Sequence, residues 1–208
     1  QVCCASKRVL VQKSIAEEYT NRLINALKLL KVCEPHEKEC DMGPLVSEQA
    51  ACEVENKVNQ TIKQGARCVF GGKRYNKTYF EPTVLKDVTA DMDIAKDMEI
   101  FGPVVPIIEF EENDEAIKIA NQTKYGLSGG VIGRDIKAAL STALKLESGT
   151  TVVNGCGDYR TLYTPFGGHK MSGIGTEGLM LTLEEMMLTK CVALKGIVEE
   201  SVSESVLR

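Results

Sequence analysis

The sequence predicts one α/β domain with a largely parallel sheet, and three observations lead there. Apolar runs of strand length alternate with amphipathic segments of helical period, each about 10 to 17 residues long, the pattern of strands joined through helices. Val104 to Phe110 is nearly continuous apolar, as a strand covered on both faces must be. The chain has 208 residues, 43% apolar and 26% charged, enough for one substantial domain and ordinary for a folded protein.

The elements follow in order. Arg8 to Val11 alternates as a short strand. Ser14 to Leu30 reads as a helix, with Ser14 as its cap, Glu17 as the capping-box partner, and Tyr19, Leu23, Ala26, Leu27 and Leu30 on one face. Cys33 to Pro44 is a polar connection with two prolines and a glycine. Glu48 to Lys63 is a second helix, with Ala51, Val54, Val58 and Ile62 at helical spacing and Gly65 as its stop. Cys68 to Phe70 is a strand that turns at Gly71-Gly72. Tyr79 to Val84 and Val104 to Phe110 are strands, and Asn113 to Ala120 is a helix. Leu127 to Ile132 is a strand, Ile136 to Leu146 a helix, and Thr150 to Val153 another buried strand. Met180 to Met187 is helical, Lys190 to Leu194 forms a last strand, and Glu199 to Arg208 is a frayed polar tail.

Composition excludes several classes. With 25 basic and 29 acidic residues the net charge is −4, and no basic block offers a footprint for nucleic acid. No apolar run approaches the roughly 18 residues that span a bilayer. No signal-peptide pattern opens the chain, although Gln1 reads as the start of a cut chain. The eight cysteines form no Cys-x-x-Cys pair and no framework, which points to a reducing, cytoplasmic setting. Cys33, His36 and Cys40 are three potential zinc ligands where a structural site wants four, so the segment reads as a solvated loop and no metal is expected. Gly173-x-Gly175-x-x-Gly178 has the bare spacing of a dinucleotide fingerprint but no strand close before it, and is set aside.

Three segments carry chemistry together: Gln1-Val2-Cys3-Cys4, Glu99-Ile100-Phe101-Gly102-Pro103, and Pro165-Phe166-Gly167-Gly168-His169-Lys170-Met171-Ser172-Gly173. In this order and at these separations, the chain from Cys3 to about Leu194 resembles the aldehyde dehydrogenase superfamily. The resemblance implies a three-layer αβα catalytic domain over residues 1–189, an oligomerisation strand over 190–198 and a polar tail over 199–208. It implies an NAD(P)-dependent oxidation of an aldehyde to a carboxylic acid. Cys3 is then the nucleophile: its thiolate adds to the carbonyl, the oxyanion rests on hydrogen-bond donors including the Cys3 N–H, and hydride loss leaves a thioester that water hydrolyses. Glu99 would bind ribose hydroxyls of NAD or NADP, Phe101 would pack near that ribose and the nicotinamide, and Phe166 would line the aldehyde path. Asn154 would tie down loops, and residues 155–164 would form the substrate mouth, where Arg160 suggests an acidic aldehyde such as a semialdehyde. Cys4 reads as a spectator, and His169 as a solvent or packing residue.

The chain departs from the family pattern at Ala50, where a glutamine is frequent, and at Thr176, where arginine is common. The family's glutamate base, its second oxyanion donor (an asparagine) and its Rossmann-type cofactor domain precede the nucleophile and fall outside this sequence. The chain by itself is therefore expected to be inactive or nearly so, and to self-associate as a homo-oligomer through exposed apolar surface. Two other readings remain open at this point: a non-catalytic oligomerisation module, and an enzyme that passes the acyl group to coenzyme A.

Overall fold

The computed structural model describes residues 1–196. The strands are β1 (Val9–Gln12), β2 (Arg67–Phe70), β3 (Arg74–Tyr75), β4 (Tyr79–Phe80), β5 (Thr83–Lys86), β6 (Val104–Phe110), β7 (Tyr125–Gly126), β8 (Ser128–Val131), β9 (Thr150–Val153), β10 (Phe166–Gly167), β11 (His169–Lys170) and β12 (Thr176–Glu177). The helices are α1 (Lys13–Leu27), α2 (Glu48–Lys63), α3 (Asn113–Asn121), α4 (Ile136–Lys145) and α5 (Leu179–Glu185), with one turn of 3-10 helix at Asp93–Ala95.

The main sheet has four strands in the order β1-β6-β5-β2. β6 is parallel to both neighbours, with Val9 opposite Ile107 and Thr83 opposite Val104. β2 closes the edge antiparallel to β5, with Arg67 opposite Lys86 and a bulge between Cys68 and Phe70. β8 and β9 form a separate parallel pair. The longer pairings are thus parallel except at one edge.

The period-2 alternation of side chains along a strand sorts the core into two layers. Leu10, Leu85, Val104 and Ile108 share one cluster with Ala51, Val54 and Val58 of α2 and Ile119 of α3. Val11, Val84, Val105 and Ile107 join the other, with Ala16, Tyr19, Leu23 and Ile24 of α1. The result is helix, sheet, helix. Each fully buried aliphatic side chain contributes about 1.5–3 kcal/mol, so β5 and β6, buried on both faces, anchor the domain.

Several local expectations are corrected. α1 begins at Lys13 with Gln12 at its cap position and no side-chain cap bond, so Ser14 lies inside the helix instead of capping it. Its last turn unwinds after Leu27 because Leu29 is 80% exposed and gains no burial by staying helical. α2 has the bounds expected, and its cap is Ser47, whose hydroxyl accepts from the Ala50 N–H. The buried stripe of α2 runs through Ala51, Val54, Val58 and Thr61, leaving Ile62 partly exposed. The strand read across Tyr79 to Val84 splits into β4 and β5 around Pro82, which has no N–H for a ladder. β9 is half-buried, not buried. Among the described residues, Lys190 to Leu194 pairs with no strand of the chain. The tail 199–208 and the end of segment 190–198 lie outside the described residues.

Candidate active site

Cys3 stands exposed on a tight turn closed by a hydrogen bond from the Ala5 N–H to the Val2 carbonyl at 3.2 Å. Two contacts fix this turn. The Gln1 side-chain amide clasps the segment leading into α2, donating to the Pro44 carbonyl at 3.2 Å and accepting from the Val46 N–H at 3.0 Å. On the other side, the Ser128 hydroxyl at the start of β8 reaches the Cys4 carbonyl at 3.5 Å. Gly157 packs directly on that serine: a Cβ there would sit 2.6 Å from Ser128 Oγ. The start of segment 155–164 is thereby set against the serine that holds the Cys3 turn.

Beyond the turn, Arg8 locks the start of β1 into the domain. Its guanidinium donates to the carbonyls of Ala95, Ile119 and Ala120 at 2.8, 2.9 and 2.9 Å. The latter two belong to the last turn of α3, whose carbonyls have no partner within the helix. Burial draws the Arg8 pKa down from its ordinary value, with the charge of Asp97 opposing.

Glu99 and Phe101 occupy the turn before β6. Phe101 adopts a left-handed backbone, φ +57°, and is 47% exposed. The Glu99 carbonyl accepts from the Lys57 ammonium of α2 at 2.8 Å, which leaves the carboxylate free of that contact. Gly102 allows α2 to approach: a Cβ there would meet Val54 Cγ2 at 2.7 Å. Lys7, four residues after Cys3, is half-buried over the Tyr125 ring at 4.7 Å. Its pKa is lowered by burial and raised in part by Glu99, whose charge heads the electrostatic influences on it. Lys7, on the segment that follows Cys3, therefore feels the charge of the acidic turn.

Phe166 lies half-buried in β10, paired with Glu177. The guanidinium of Arg160 stacks over its ring at 4.0 Å. The hairpin carrying Phe166 is seated by Gly149, where a Cβ would fall 1.7 Å from the Gly167 carbonyl oxygen. Lys170 and Ser172 are structural: Lys170 donates to the carbonyls of Asn121 and Thr123 at 2.7 and 3.0 Å, and the Ser172 hydroxyl accepts from the Gly126 N–H at 2.9 Å. Asn154, at φ +55°, accepts from the Gly133 N–H at 2.9 Å and so ties the ends of β8 and β9 together. His169 is exposed. The Cys156 thiol donates to Asp158 at 2.6 Å, and that contact pushes its pKa up.

Cys3, Glu99 and Phe101 are exposed and Phe166 is half-buried, on an open surface. A depression of about 390 Å³ lined by Gln60, Asp93, Lys96, Asp97 and Met98 includes none of them. Among the described residues no group of three or more metal-binding side chains forms, so Cys33, His36 and Cys40 do not assemble a site. Sequence reading missed Gln1, Lys7, Lys57 and Ser128 as supports. The spacing of one element cannot reveal contacts made across elements.

The fold and this arrangement define a class: an α/β domain presenting an exposed cysteine thiol on a turn, with an acidic-aromatic turn and an aromatic hairpin. The model of the aldehyde dehydrogenase family matches residues 1–192, and the chain belongs to that family. It is 38% identical over 197 residues to a lactaldehyde dehydrogenase of Methanococcus maripaludis, covering 95% of this chain and 42% of that protein. Among solved structures it is similar to a glyceraldehyde-3-phosphate dehydrogenase of Methanocaldococcus jannaschii complexed with NADP, with TM-score 0.83, 39% identity, and 89% of this chain and 40% of that one covered. It is also similar to a betaine aldehyde dehydrogenase of Staphylococcus aureus in complex with NAD+, with TM-score 0.85, 34% identity, and 95% and 42% coverage. The chain thus spans about two fifths of the length of these relatives.

Proposed function

We infer that this chain supplies the nucleophile, part of the cofactor contacts and the aldehyde-facing loop of an NAD(P)-dependent aldehyde dehydrogenase that converts an aldehyde to a carboxylic acid. The observation that carries this reading is the clamping of the Cys3 turn between the Pro44–Val46 segment and Ser128. That clamp holds a thiol open to solvent beside the loop that carries Arg160 and leads to Phe166.

The Cys3 thiolate adds to the aldehyde carbon, and the Cys3 N–H, on the exposed turn, donates to the oxyanion that forms. Loss of hydride from the thiohemiacetal leaves an acyl thioester on Cys3, which water cleaves. NAD or NADP, when bound, is the hydride acceptor. Glu99 fits a ribose diol, since its carboxylate forms no ion pair among the described residues and its backbone is held by Lys57. Phe101, held half-exposed on a left-handed turn, offers an apolar face to the same group. Phe166 lines the aldehyde path. Arg160, stacked on it and making no ion pair among the described residues, favours an aldehyde that carries a second, anionic group. Residues 1–189 act as the catalytic domain and 190–198 as a segment that pairs with a second copy, with Val192 and Leu194 67% and 73% exposed. The eight free cysteines support a reducing, cytoplasmic setting.

The test is a chimera that places this chain after the upstream portion of the Methanococcus lactaldehyde dehydrogenase. The chimera should reduce NAD or NADP with succinic semialdehyde or a neutral short aldehyde, and Cys3→Ser should abolish it, while the 208-residue chain alone stays inactive. A folded chimera with no turnover, or turnover that survives Cys3→Ser, refutes the assignment.

A further inference from the structure

The loop of residues 33–40 places two thiols at its neck, outside the candidate active site. Its ends are held by backbone pairing: Cys33 N–H donates to the Met42 carbonyl at 3.1 Å, and Asp41 N–H to the Lys31 carbonyl at 3.0 Å. A Lys31–Glu39 ion pair and a bond from the Lys31 N–H to the Asp41 carboxylate at 2.8 Å brace the same neck. Within it, the Cys40 thiol donates to the Cys33 carbonyl at 3.2 Å and to the Met42 carbonyl at 3.5 Å. Both cysteines are free and partly exposed. We propose that Cys33 and Cys40 form an oxidisable dithiol site that a small peroxide closes into a disulfide across this loop.

The division of labour follows from the surroundings. The Cys33 thiol is pushed up to about 11, first by the neighbouring Cys40 thiol, then by partial burial and by the charges of Cys40, Glu37 and Asp41. Cys33 therefore holds its proton and reacts second, and Cys40 is the sulfur that meets the peroxide. The Cys40 thiolate takes one oxygen from hydrogen peroxide, becoming a sulfenic acid and releasing hydroxide. The Cys33 sulfur then displaces that oxygen as water, its own proton leaving with it, and the S–S bond forms. The hydroxide takes up the proton that Cys40 gave up on ionising. In sum, two thiols lose two electrons and one peroxide becomes two waters. The paired backbone of the neck and the bond from the Cys40 thiol to the Cys33 carbonyl bring the two residues together. The loop runs on through Gly43 to Pro44 and Val46, the segment that clasps Gln1, so the site lies on the support of the nucleophile turn.

The test uses the full 208-residue chain treated with hydrogen peroxide, blocked with an alkylating agent, digested with trypsin and read by mass spectrometry. Peptides 32–38 and 39–57 should appear joined, with fragment ions placing the link at Cys40 and not at Cys52, and a reductant should separate them. Cys33→Ser and Cys40→Ser should each abolish the joined species, whereas Cys52→Ser should keep it. Recovery of Cys33 and Cys40 separately alkylated while Cys3 is oxidised would overturn the proposal. So would sulfinic acid in place of the link, or Cys33 joined to any other cysteine.

Discussion

Gly102→Ala tests how the acidic-aromatic turn is held. The methyl group it adds would lie 2.7 and 3.1 Å from the two Cγ atoms of Val54, against an ordinary carbon–carbon contact of about 3.5–4.0 Å. Val54 is 1% exposed, so its methyls have nowhere to go. Overpacking of this kind costs about 1–3 kcal/mol, and the loss of glycine's freedom in the unfolded chain returns about 0.4–1 kcal/mol. The net cost is about 1–2 kcal/mol, and for a chain of this size it lowers Tm by about 2–8 °C. Val54→Ala alone removes two buried carbons at about 0.8 kcal/mol each and leaves a cavity, for about 2 kcal/mol in all. In the double variant the new methyl fills part of that cavity, so the summed cost falls short of additivity by about 1 kcal/mol. Urea unfolding of the four proteins followed by circular dichroism measures the cycle. A Gly102→Ala protein as stable as the parent, or costs that simply add, would show that α2 does not press on this turn.

Arg8→Met should cost about 3 kcal/mol in urea unfolding, because the Ile119 and Ala120 carbonyls lose a charged donor; Arg8→Lys should recover less than half, since one ammonium cannot reproduce the planar fork. Asp97 has its pKa lowered, chiefly by the Lys124 N–H, with Thr123 assisting. A depressed carboxylate stabilises above its unfolded value and loses that stabilisation as pH falls through the folded one. As pH falls below about 4, the parent should thus lose more stability than Asp97→Asn, and parallel curves would refute this. Ile136, Leu140 and Leu144 of α4 are 55%, 50% and 79% exposed at four-residue spacing. Ile136→Glu with Leu144→Glu should reduce self-association in light scattering; an unchanged mass would clear this stripe of a role.

Local chemistry determined much of this protein from sequence alone. The bounds of α2, β6 and β9 follow from period, caps and apolar continuity, which depend on neighbours only a few residues away. The order of Cys3, Glu99-Ile100-Phe101 and Phe166 was likewise legible, because each sits in a short contiguous motif, and the latter two carry glycines and a proline that shape the backbone locally. The tertiary structure decided what depends on partners distant in the chain. Ser14 could have capped a helix, but Gln12 leads straight out of β1, whose pairing with β6 sets where α1 begins. Ile62 and Thr61 differ by one residue, and only the packing of α2 in the domain chose which is buried. The supports of the candidate site span 42 to 124 residues in Lys57–Glu99, Gln1–Pro44 and Ser128–Cys4. Such contacts leave no periodic trace, since a side chain's reach across an interface is set by how whole elements pack.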